Sequence, residues 1–344
     1  MHLIVTGGAG FLGQQCIASL LQAETLALEP LPEKPIRAIT AFDVSEGAIR
    51  HQKLHYVTGD IADPYQLGAL FHDDTAAIIH LAAVVSGSAE ADFDLGMRVN
   101  VDGTRNLLQA ARAWRYRVNT GQPAIRMLFS SSIAVFGGDL PPVVTDHTTP
   151  TPQGSYGIQK YIGEQLVQDY TRKGFIDGRS VRIPTVVVRP GKPNGAASGF
   201  ASNIIREPLD GRPAVLPVDP STAMWVASPR AVVGMIRRAL TTAPELWGWH
   251  RAINLPGLTV TMQEEMDALE AVGGKQALAL IEKRSDPAIL RLVNTWAARF
   301  DTARALAMGF CADPDFESIV RDYVEDKARS VEAMARSGAV ATQD

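Results

Sequence analysis

The sequence predicts an α/β fold, a doubly wound parallel sheet with a smaller, mostly helical C-terminal lobe. Three observations predict it. Apolar, β-branched runs alternate with helical patterns through the first half, a glycine-rich turn joins the first run to the first helix, and proline and glycine crowd residues 190–220. Such alternation argues for a parallel sheet covered on both faces, with ligands gathered at the carboxyl ends of the strands.

Residues 2–6, HLIVT, read as the first strand, and Gly7-Gly8-Ala9-Gly10-Phe11-Leu12-Gly13 leads into a helical pattern over 14–22. Gly7 allows a sharp turn, Gly10 lets backbone N–H groups approach a pyrophosphate at the positive end of the helix, and Gly13 lets helix and strand pack closely. A glycine triplet alone is a weak signal, but strand before and helix after make it a Rossmann dinucleotide seat. Residues 23–35, with three prolines, read as a surface insertion before the second strand, 36–42. Asp43 ends that strand, where a carboxylate accepts hydrogen bonds from ribose hydroxyls and repels a 2′-phosphate; NAD is expected over NADP, with Arg50 a cation that argues the other way. A third strand (54–58), a helix (64–71), a fourth strand (76–81), a long helix (95–114), a fifth strand (125–129) and a sixth (180–188) continue the alternation.

Chemistry enters with Tyr156 and Lys160, four residues apart in Ser155-Tyr156-Gly157-Ile158-Gln159-Lys160. On a helix such a pair shares one face, so the ammonium lies beside the phenol and favours the phenolate, which makes the tyrosine a candidate base. By itself the spacing also suits a half-exposed tyrosine beside a solvated lysine.

Six ordered motifs decide between those readings: Thr6 to Gly13, Gly59-Asp60-Ile61, His80-Leu81-Ala82-Ala83, Asn100-Val101-Asp102-Gly103-Thr104, Ser130-Ser131-Ser132 with Val135-Phe136-Gly137, and Tyr156 to Lys160. Together they resemble the extended short-chain dehydrogenase/reductase superfamily, which includes nucleotide-sugar epimerases and dehydratases. The resemblance implies a cofactor set of Gly7, Gly10, Phe11, Leu12, Gly13, Asp43, Asp60, Ile61, Leu81, Ala82, Ala83, Asn100, Tyr156, Lys160 and Pro184. Catalysis would fall to Tyr156, Lys160, Ser132 and Asn100, with Asn100 supporting a proton relay and Ser132 holding the substrate hydroxyl. A homodimer built on the helices carrying Asn100 and Tyr156 is a further implication.

Within that superfamily, Val84 to Asp94, Phe136 to Pro141, Pro184 to Asn194, Ser198 to Leu209 and Phe300 to Ala305 are similar to the D-erythronate dehydrogenases, over about residues 1–325. This implies oxidation of a short sugar acid beside its carboxylate. A carboxylate needs donors; Arg189 and Asn194 are preferred over Lys192, Arg206 and Arg230 because they follow the sixth strand, and Ser86 is a further candidate beside the alanine motif. Two alternatives stay open: a nucleotide-sugar 4-epimerase using the same serine, tyrosine and lysine, and a non-catalytic NAD-binding sensor.

The expected domains are residues 1–190 with a return segment at about 223–255 for the nucleotide, 191–222 and 256–330 for the substrate, and a disordered tail at 331–344. Thr261 followed by Glu264 marks a helix start there. A length of 344 residues with 46% hydrophobic content suits two lobes. A net charge of -4 offers no basic face for nucleic acid, and no run of 18 apolar residues or signal-peptide pattern is present, so neither nucleic acid nor membrane is an expected partner. The seven histidines show no ligand spacing, and two distant cysteines suit a reducing cytoplasm, so no metal and a cytoplasmic location are expected.

Overall fold

The computed structural model describes residues 1–118, 123–191 and 196–336. Its chain divides into two compact units, the first made of Met1–Pro184, Arg230–Pro256 and Thr295–Cys311, the second of Thr185–Pro229, Gly257–Asn294 and Ala312–Asp344.

Seven strands form the sheet of the first unit: β1 (His2–Thr6), β2 (Ala38–Asp43), β3 (Leu54–Thr58), β4 (Thr75–His80), β5 (Ile125–Ser132), β6 (Ile176–Ile183) and β7 (Ala252–Asn254). Every neighbouring pair is parallel, in the order β3-β2-β1-β4-β5-β6-β7. The order reverses direction between β1 and β4, and that switch point opens the crevice where a Rossmann sheet receives its nucleotide. Helices α1 (Phe11–Ala23), α2 (Gly103–Arg117), α3 (Ser155–Arg172) and α4 (Pro229–Thr241) belong with this sheet. Ile4, Ile78, Met127 and Phe129 of the strands meet Leu107, Leu108, Ala111 and Trp114 of α2 and Val167 of α3 in one buried cluster. Burial of such side chains supplies the main drive for the layered fold.

Several expected boundaries move, each for a local reason. The long helix expected over 95–114 is broken into Phe93–Gly96, a π-helical stretch Met97–Asp102 and α2. Within the widened turn the Thr104 hydroxyl donates to the carbonyl of Asn100 at 2.6 Å. The expected sixth strand over 180–188 stops at Ile183, because Pro184 cannot donate to the ladder, and Thr185–Val186 pairs in a different sheet. The 23–35 insertion is anchored rather than loose: Leu26 and Leu28 are buried, the Glu29 N–H donates to Thr241 O, and Arg126 donates to Glu29 O.

The return segment is also redrawn. Strand Ala223–Ala227 pairs with Thr185–Val186 and Leu258–Thr261 in the second unit, so α4 and β7, not the strand before them, rejoin the sheet. Arg126 and Arg179 hold α4 there by donating to carbonyls at its C-terminal end, Leu240 O and Ala239 O. Residues 295–311, expected with the substrate lobe, belong to the first unit. Arg304 explains why: it pairs with Asp146 and donates to the carbonyls of Trp247, His250 and Ala252.

The second unit contains that three-stranded sheet, a parallel pair Ala214–Leu216 with Ile281–Lys283, and helices Gly199–Leu209, Met262–Leu278 and Phe316–Arg336. Thr261 and Glu264 form the expected reciprocal capping box. Helix Phe316–Arg336 runs into the segment expected as a disordered tail, and residues 337–344 lie outside the described residues. Among the described residues no helix is long and apolar enough to cross a membrane, and no group of three or more His, Cys, Asp or Glu side chains could hold a metal ion.

Candidate active site

The nucleotide end is built by close backbone approach. Gly7 has φ +70°, and a Cβ there would lie 2.7 Å from Ala82 N; one at Gly13 would lie 2.1 Å from Gly7 O. The glycine turn is thus pressed between α1 and the Leu81-Ala82-Ala83 segment, whose Leu81 N–H donates to Thr6 O. At Gly10 an added Cβ would meet only Gly7 O, at 3.2 Å, and no side chain caps α1. Uncapped N–H groups at a helix start beside a bare glycine backbone fit a pyrophosphate. Phe11 and Leu12 are half-buried in the first turn of α1.

Asp43 stands at the end of β2, accepting from Ala9 N–H at 2.9 Å and from Val44 N–H at 2.7 Å. Each oxygen keeps lone-pair capacity for a ribose hydroxyl. Arg50 is committed to the carbonyls of Gly47 and Ile49 and to Glu46, and it stacks on Tyr56. Asp60 accepts from Ala62 N–H, which together with Arg98 lowers its carboxyl pKa, and Ile61 is buried against Gly103. Pro184 is buried after β6. These residues fit a dinucleotide.

At the reacting end, α3 begins against the turn that follows β5: a Cβ on Gly157 would lie 2.1 Å from Ala134 O. Tyr156 therefore starts its helix beside the turn that Ser132 caps. Of the three serines, Ser130 donates to His80 O and Ser131 donates to Glu164, whereas Ser132 Oγ accepts from Ala134 N–H at 3.1 Å and keeps its own proton to donate. That difference singles out the third serine.

Lys160 lies with its ammonium 4.9 Å from the centre of the Phe129 ring and 5.7 Å from that of Tyr156. Burial pushes its pKa down to about 7. Asn100 accepts from Val84 N–H at 2.8 Å and donates to Val84 O at 3.1 Å and to Gln159 Oε1 at 2.7 Å. Its side chain thus ties the segment after the alanine motif to the residue preceding Lys160.

His80, the first residue of the alanine motif, joins three elements of this arrangement. Because the Thr104 hydroxyl is spent on Asn100 O, its oxygen must accept from His80 Nε2–H at 3.0 Å, which leaves Nδ1 to accept from the Thr6 hydroxyl at 2.6 Å. Burial, and then the charge of Lys160, pushes His80 down to about 3, so the ring is neutral and its tautomer fixed. Glu90 also went unread: its Oε2 accepts from Ser155 N–H at 2.8 Å and caps α3, whose N-cap Gly154 has no side chain to do so. Only its place in the Val84–Asp94 motif pointed to it.

The substrate candidates divide. Ser86 opens the short helix Ser86–Ala91 in the first unit. Arg189 belongs to the second unit, where its N–H donates to Ser202 Oγ, its guanidinium to Ser198 Oγ at 3.3 Å, and its carbonyl accepts from Arg206 at 2.7 Å. Arg206 spends its remaining donors on Glu207 and Asn203 and serves as Arg189's support. Asn194 and Lys192 lie outside the described residues.

Residues 3–225 match the NAD dependent epimerase/dehydratase family. A protein named D-erythronate dehydrogenase from Cupriavidus necator is 48% identical over 327 residues, covering 95% of this chain and 98% of its own length. One of the same name from Haemophilus influenzae is 40% identical over 327 residues, covering 94% and 99%. A solved structure described as a nucleoside-diphosphate-sugar epimerase from Agrobacterium tumefaciens superposes with a TM-score of 0.88 at 41% identity, covering 95% of this chain and 94% of that one.

Proposed function

The chain belongs to the NAD dependent epimerase/dehydratase family, and from that membership we propose that it oxidises D-erythronate to 2-dehydro-D-erythronate with NAD as the oxidant. The observation that carries this reading is the end-to-end likeness to two relatives of that name. NAD, when bound, supplies the acceptor for the hydride. Gly7, Gly10 and Gly13 hold its pyrophosphate, Asp43 its adenosine ribose, and Lys160 its nicotinamide ribose.

Tyr156, as phenolate, removes the substrate hydroxyl proton. The Ser132 hydroxyl donates to the same oxygen, holding it in reach of the base while the carbonyl forms. Lys160 offsets the phenolate charge, and Asn100 braces the helix that carries both. Positioning contributes most of the acceleration, because no charge accumulates on carbon. The sequence order offers Ser86, Arg189 and Asn194 as the residues that select the acid, Arg189 by the chemistry of a charge-assisted bond to a carboxylate. A homodimer that covers exposed Ile158 of α3 and Tyr116 of α2, in the cytoplasm, completes the reading, and sedimentation velocity reports the dimer.

The likeness to the Agrobacterium tumefaciens structure favours the 4-epimerase as second reading. The two separate in one experiment: protein and NAD are given D-erythronate, L-threonate and a nucleotide sugar in turn, with absorbance at the NADH band reporting reduction and chromatography of the nucleotide sugar reporting its epimer. The proposal expects NADH to accumulate with D-erythronate. Conversion of the nucleotide sugar to its epimer with no net NADH from any acid would replace it with the epimerase.

A further inference from the structure

The helix that carries Tyr156 and Lys160 is seated in an unusual way. Its fully buried residues are Gly157, Gln159, Lys160, Gly163, Glu164 and Val167, so Val167 is the one apolar side chain among them. Leu166 and Tyr170, partly buried against the same cluster, also lie in its second half. Toward Tyr156 the closest approaches are made by glycines, Gly157 on Ala134 O in the turn after β5 and Gly163 on the Phe129 ring, 2.4 Å from an added Cβ, with the Lys160 ammonium beside the same ring. Glycines permit close approach but interlock with nothing, so in this half of the helix apolar side chains do little to set its register.

Polar contacts fill that gap. Glu164 accepts from Arg182 Nε at 2.9 Å and Nη2 at 2.8 Å, a bidentate pair, and its Oε1 also accepts from Ser131 Oγ at 2.5 Å. The Glu164 and Arg182 side chains are 2% and 1% exposed. Arg182 is fixed in turn, its guanidinium 4.8 Å over the Phe136 ring and its Nη1 3.5 Å from Asn254 Oδ1. Asn254 N–H donates to Asp146, the residue that also pairs with Arg304. One carboxylate on the helix is therefore gripped by β6, through Arg182, and by β5, through the residue next to Ser132.

We propose that Glu164 is a positioning residue: through Arg182 and Ser131 it sets the register of α3 against β5, and so the place of Tyr156 and Lys160 relative to Ser132. The inference rests on the reading of Ser132, Tyr156 and Lys160 as the reacting set. A buried ion pair contributes little net stability once desolvation is counted, and an apolar pair of similar volume often replaces it without loss. Stability and register can thus be separated.

The test compares wild type, Glu164→Leu with Arg182→Met in one chain, and Ser131→Ala, each as the full chain with NAD, reading Tm, the KM for NAD and kcat with D-erythronate. The double variant is expected to keep or raise Tm and to hold its KM for NAD, while kcat falls roughly 10- to 100-fold, the scale of an ångström-sized misplacement. Ser131→Ala is expected to lower kcat several-fold at unchanged Tm. A folded double variant with the kcat of wild type, or Ser131→Ala with that kcat, overturns the proposal and leaves Glu164 a purely structural acid. If the double variant has no cooperative melting transition, Ser131→Ala decides alone. Failure of the underlying reading shows separately, as wild type that makes no NADH.

Discussion

At Lys160 the fold buries an ammonium beside aromatic rings, and burial pushes its pKa from 10.5 down to about 7. The folded chain therefore binds fewer protons here than the unfolded chain between about pH 7 and 10.5. The burial penalty is fully present below pH 7 and fades as pH rises through that window, so this group makes stability increase with pH there. Lys160→Met removes the penalty: its Tm at pH 7, without cofactor, is expected to equal or exceed that of wild type, with a flatter rise toward pH 9 and no activity. Thermal melts followed by circular dichroism across that range check it, and a Tm well below wild type at pH 7 contradicts it. Tyr156 and Lys160 were readable as a pair because helix spacing puts them on one face, and Ser132 through the resemblance of its motif to the dehydrogenase family. Glu164 was not, since its partners Ser131 and Arg182 lie 33 and 18 residues away and nothing local marks them.

The start of α3 shows the same division at the level of elements. Spacing placed Tyr156 on a helix, yet Gly154 offers no cap, and the acceptor for Ser155 N–H comes from Glu90, 65 residues earlier. A carboxylate at a helix N-terminus also meets the positive end of the macrodipole. Glu90→Ala is expected to lower Tm by a few degrees and to lower kcat several-fold with little change in the KM for NAD, because the frayed turn is the one bearing Tyr156. Melts and steady-state kinetics on one preparation decide it; an unchanged kcat would sever the Val84–Asp94 motif from the chemistry. The alternation of strands and helices was readable from hydrophobic periodicity, whereas the π-helical break at Met97–Asp102 was not. Within and beside that break Asn100 and Thr104 have partners on other elements, which a periodic pattern does not encode.

For the whole molecule, the sheet, its glycine seat and the presence of a second unit could be read from the chain, but the path between units could not. Strand Ala223–Ala227 and residues 295–311 each sit in the unit opposite to the one expected. Strand pairing with Thr185–Val186 decides the first, and the bonds of Arg304 decide the second, and both are long-range choices. Gathered in the first unit, the cofactor seat and the Ser132, Tyr156 and Lys160 set make one claim: the chain turns over D-erythronate through a tyrosine base. The most direct measurement is the initial rate of NADH formation from NAD and D-erythronate by wild type and by Tyr156→Phe, with NAD binding to each measured by calorimetry. Unchanged NAD affinity with a rate lower by roughly 10²- to 10⁴-fold is the predicted result, the scale of a lost general base. A Tyr156→Phe chain that makes NADH as fast as wild type would contradict the account.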